Sequence, residues 1–66
     1  MNKTINGKYD SDEQARNTEE DLIATGIPRD NVYRDKPNQV IKVSVPAETE
    51  REIQEIFTRH GIHFDR

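Results

Sequence analysis

Sixty-six residues without a cysteine make one small domain, with no disulfide and no thiolate metal ligand to staple it. Thirteen acidic against ten basic side chains leave a net charge of −3, a balance that does not favour a dedicated nucleic-acid binder. No stretch is apolar enough for a secretion signal or a membrane span, so the chain reads as a soluble cytoplasmic protein.

Taken in chain order, NKTINGKY at 2–9 reads as a first strand. The period of two puts Ile5, Gly7 and Tyr9 on one face and Thr4, Asn6 and Lys8 on the other. A glycine inside a strand implies close approach of another element, so a helix is expected over Gly7. A first helix is expected over 11–25. Ser11 and Gln14 have the capping-box spacing, with Asp12 and Glu13 at the positive end of the helix dipole. Its apolar face comprises Ala15, Leu22 and Ile23, with Thr18 between them and Glu19 close by. Gly26 supplies a left-handed stop, Ile27 folds back onto Leu22, and Pro28 prevents continuation.

DNVYR at 30–34 reads as a second strand with Val32 inward and Tyr33 outward. The turn DKPN leads into QVIKVSV at 39–45, where Ile41, Val43 and Val45 share a face and Val40 adds apolar surface to the other. Pro46 opens a second helix over 47–60. Thr49 and Glu52 repeat the capping-box spacing, Ile53, Ile56 and Phe57 form the stripe, and Glu55 stands one turn before Arg59 in the favourable pairing order. The ending His60-Gly61-Ile62 repeats Thr25-Gly26-Ile27, and a last strand is expected over 62–65. Setting Gly26 over Gly61 also sets Ile5 over Val40, so the chain looks like two successive β-α-β units.

Right-handed crossovers put both helices on one side of the sheet. The expected fold is therefore an α+β, ferredoxin-like split β-α-β: one domain over 1–66, with a four-stranded antiparallel sheet in the order 4-1-3-2. Its open face would carry Thr4, Asn6, Lys8, Tyr33, Val40, Lys42, Ser44 and His63.

The ending RHGIHFDR raises the question of a metal. His60 falls in the last turn of a helix, where the dipole and free carbonyls suit an imidazole, and His63 falls on a strand beyond a glycine reversal. The two rings should diverge. Zinc would need further ligands, and only scattered carboxylates such as Asp65 are on offer, so no metal or other cofactor is expected. Ser11 is explained as a cap and Ser44 as a strand residue, and no acid, base and nucleophile converge. KYDSDEQ at the first strand–helix junction would repel a phosphate, and Tyr33 alone is a poor platform for bases. A non-enzyme is expected.

With the elements in place, NGKYDS at 6–11, Ala15 and Leu22, TGIPRDNV at 25–32, IKVSVPAETEREIQEIFTRHG at 41–61 and the closing FDR resemble the small α/β domain of bacterial general stress proteins of the heat-induced type. That resemblance implies a cytoplasmic, stress-associated domain without catalytic residues.

Charge is segregated along the chain: DSDEQARNTEED at 10–21 holds six acids and one arginine, whereas RDNVYRDKPNQVIK at 29–42 holds four basic residues and two acids. A core of roughly fifteen side chains supports only about 3–5 kcal/mol of stability, for which association is a common remedy. The first expectation is thus an interaction module, a homodimer or a domain with a protein partner, using Lys8, Tyr33, Val40, Lys42 and His63. The alternative is a small-ligand sensor similar to the ACT regulatory domains, which share the β-α-β-β-α-β order. Its contacts would be Asp10, Ser11, Arg29 and Asn31, although Tyr9-Asp10-Ser11 stands where those domains carry a glycine.

Overall fold

The computed structural model describes residues 2–64. Four strands, β1 (Asn2–Lys8), β2 (Val32–Asp35), β3 (Val40–Pro46) and β4 (His63–Phe64), form one antiparallel sheet in the order β2-β3-β1-β4. Helices α1 (Asp12–Thr25) and α2 (Glu50–Arg59) cover one face, giving the expected ferredoxin-like α+β arrangement. The two longest strands pair along their whole length, with Ile5 opposite Val43 and Gly7 opposite Ile41. Asp65, expected to extend the last strand, lies outside the described residues.

Alternation sorts the sheet into two chemically distinct faces. Ile5 and Tyr9, together with Ile41, Val43 and Val45, are buried against Ala15 and Leu22 of α1 and Ile53, Ile56 and Phe57 of α2. Gly7 makes this packing feasible. A methyl group at that position would strike Cγ2 of Ile62 and lie 2.6 Å from Cε2 of Phe57, so α2 rests directly on the β1 backbone.

Both helices stop in the same way. Gly26 takes φ 112° and Gly61 φ 73°. The Gly26 and Ile27 amides donate to the carbonyls of Ile23 and Leu22, and those of Gly61 and Ile62 to Thr58 and Phe57. Each is a complete Schellman closure, with an isoleucine returned to the core.

Several local expectations are corrected. Within α1, Ala15, Thr18 and Leu22 are buried, but Ile23 turns about 100° away from Leu22 and is only half-buried. Thr18 satisfies its hydroxyl by donating to the Gln14 carbonyl at 2.8 Å. The second strand begins at Val32 rather than residue 30, because Arg29–Asn31 form a 3-10 turn. Asn31 holds that turn to the sheet through Nδ2, which donates to the Ser44 carbonyl at 3.0 Å. The second helix is preceded by another 3-10 turn, Ala47–Thr49. Thr49 already has helical backbone angles (φ −95°, ψ −7°) and makes no side-chain cap, since capping needs an extended residue. Arg59 bonds to Asp21 on α1 rather than pairing with Glu55.

The β2–β3 turn closes through the Gln39 amide on the Lys36 carbonyl, which forces Gln39 to φ 57°. Gln39→Gly should raise stability by about 0.5 kcal/mol, the left-handed strain relieved outweighing the chain entropy added. Gly7→Ala should cost about 1–3 kcal/mol, since neither the Phe57 ring nor Ile62 has room to retreat. Urea midpoints at constant m-value measure both.

Candidate functional site

The register gathers the five residues expected on the interaction face into two neighbouring rows. Asp35 lies opposite Val40, Val40 opposite Lys8, and Lys8 opposite His63, so one row crosses all four strands on the open side. The adjacent row runs Tyr33, Lys42, Asn6. Neighbouring members stand about 5 Å apart along the hydrogen-bonding direction, close enough to be touched by one partner. Tyr33 is 62% exposed, the one large hydrophobic side chain so exposed among the described residues. A shallow cavity of about 310 Å³ lies toward the β1–β4 side of the sheet, lined by Asn6, Gly7, Lys8, Val40, His63 and Phe64.

One member of this surface escaped the sequence analysis: Asp35 belongs to it because β2 runs one residue further than expected, whereas Asn6, opposite Lys42, lies on the open face as alternation places it. The Asp35 carboxylate accepts from the Asn38 amide and from its Nδ2 (3.0 Å), which fixes it at the turn. Strand alternation carried past Arg34 would have found it. The same alternation turns Arg34 inward beside Ile41, where its Nη1 is buried without a hydrogen-bond partner among the described residues. Tyr9, only 1% exposed, likewise leaves its hydroxyl unpartnered.

The four residues of the ligand-sensor alternative do not converge. Asp10 and Ser11 precede α1, and Arg29 and Asn31 follow it, so the fourteen-residue helix separates the pairs by about 20 Å. Three of them, Asp10, Ser11 and Asn31, also have local tasks. Ser11 Oγ caps α1 by accepting from the Gln14 amide at 3.2 Å, and Gln14 Oε1 accepts in return from the amide of Asp10, one residue before the cap. Gln14 then reaches further: its Nε2 donates to the His60 carbonyl at 2.8 Å, joining the start of α1 to the end of α2.

The histidines lie against different carboxylates. His63 Nε2 stands 3.8 Å from Asp10 Oδ2 on an exposed edge. His60 Nε2 donates to Asp21 Oδ2 at 2.8 Å, and Arg59 Nη1 donates to the same oxygen at 3.0 Å. His60 therefore clasps α1 to α2, where the sequence pointed to free carbonyls of its own helix. No signal within either helix announces a pair 39 positions apart. The hydrogen bond from His60 holds the Asp21 carboxyl below its ordinary value of 3.8, aided by the Arg59 charge and opposed by partial burial. Among the described residues no three metal-ligating side chains come together. Comparison with protein-family models, curated proteins and solved structures gave no match for this chain.

Because the Asp21 value is depressed in the folded chain, its contribution is complete above the ordinary carboxylate value and is lost as pH falls through the lower, folded one. Asp21→Asn should therefore cost about 1–2 kcal/mol near neutral pH, with the gap to the unaltered protein closing below pH ~4. Urea titrations at several pH values measure it, and a gap that does not change with pH would remove the charged clasp.

Proposed function

We propose that this chain is a small non-catalytic interaction module that works through the open face of its sheet, by self-association or by binding a protein partner. Support comes above all from the two adjacent rows that put Lys8, Val40, Lys42 and His63 on one face with an exposed aromatic, Tyr33, on its edge strand. An aromatic anchor flanked by polar and charged side chains is a usual composition of a small recognition patch. The modest core adds to this: twelve hydrophobic side chains are buried among the described residues, and a domain of this size gains proportionately from any further apolar burial. A cytoplasmic, stress-associated setting is part of the proposal and draws on the sequence resemblance through TGIPRDNV and IKVSVPAETE. No helix among the described residues is long and apolar enough to cross a membrane. The ligand-sensor alternative lacks a comparable convergence of residues.

Light scattering over a dilution series from micromolar to millimolar chain tests self-association. The mass should rise with concentration, and Tyr33→Ser should shift that rise to about tenfold higher concentration, as loss of a central aromatic does. A chain that stays monomeric at millimolar concentration would remove the self-associating version.

A further inference from the structure

A second surface lies away from the open sheet face. On the opposite layer, the flank of α1 turned away from α2 carries a groove of about 210 Å³ lined by Glu19, Glu20, Ile23, Ala24 and Arg29. Ile23 lines this groove because it turns out of the core, while Asp21 on the other flank engages α2. The groove thus has an apolar floor, two carboxylates and one guanidinium.

Tyr33 offers the complement. Its cross-strand partner is Lys42, and Asp35 stands two residues along the same strand on the same face. Knob and groove lie on opposite layers of the molecule, so one copy cannot fill its own groove, but a second copy can. We propose that copies of this chain associate head to tail, Tyr33 of one entering the α1 groove of the next. In that pose the ring meets Ile23 and Ala24 and stacks against Arg29, Lys42 approaches Glu19 and Glu20, and Asp35 approaches Arg29.

The charges favour this pairing over two sheets laid face to face, which would bring Lys8 and Lys42 of one copy against the same lysines of the other. They also set Glu19 and Glu20 of the acidic stretch 10–21 against Lys42 of the basic stretch 29–42, while Arg29 shares the groove and faces Asp35. Unlike surfaces joined in this way do not close at two copies, so the product is a concentration-dependent chain or ring. A contact this small is transient and weakened by salt.

This inference rests on the open-face proposal and extends it to the surface that receives the tyrosine. The discriminating experiment is sedimentation velocity on two variants, Tyr33→Ser and Ala24→Gln, alone and mixed. Ala24 is exposed on a helix, so glutamine there fills the groove without disturbing the core. Each variant alone should be monomeric where the unaltered chain associates. Their equimolar mixture should form a complex that stops at two copies, because one intact groove and one intact tyrosine remain. Glu20→Lys and Lys42→Glu should each weaken association about tenfold, and the doubly changed chain should recover part of the loss. If Tyr33→Ser abolishes association while Ala24→Gln leaves it unchanged, the groove is not the receptor and the open-face proposal stands without it. If the unaltered chain never associates, this inference falls with the self-associating version, and the open face is left to a protein partner.

Discussion

Everything in this fold is built around the contact of Phe57 with the bare backbone of β1. At Gly7 no side chain separates strand from helix, so the ring and Ile62 sink to the level of the sheet and α2 lies flat upon it. That single close approach sets the height of the helical layer and leaves Ile53 and Ile56 at the right depth to meet Ile5 and Val43. It also brings the short last strand beside β1, with Phe64 opposite Gly7 and its ring centroid 5.9 Å from that of Phe57.

What the sequence discloses is whatever is local. Each Gly-Ile ending announces a Schellman closure because the left-handed residue and the returning hydrophobe are adjacent in the chain. QVIKVSV discloses its faces because alternation needs only neighbours. Strand order then follows from handedness rather than from any particular residue. The failures are equally physical. Ile23 reads as core because it is apolar and adjoins Leu22, yet an inward stripe through Ala15, Thr18 and Leu22 leaves it to one side. Thr49 has the right spacing for a cap but the wrong backbone angles, which a 3-10 turn after Pro46 imposes.

The candidate site shows the same division. Five face residues could be chosen by alternation alone, whereas their gathering into two rows depends on register, which sets β1 against β3 and β4 across long stretches of chain. The clasp of His60, Arg59 and Asp21 was beyond reach for a related reason: it depends on how two helices are rotated about their axes, and neither helix encodes that alone. The acids of α1 serve two purposes as a result. Asp21 binds its own chain, while Glu19 and Glu20, on the other flank, remain turned outward.

Gln14 has a consequence of a different kind. Through one side chain it closes the first turn of α1 and ties that turn to the carbonyl of the residue that ends α2. The opening of the first β-α-β unit and the close of the second are thereby made a single event. Neither half can fray from its helix end without exposing polar groups in the other, so the two β-α-β halves should melt as one cooperative unit, with no half-folded state between.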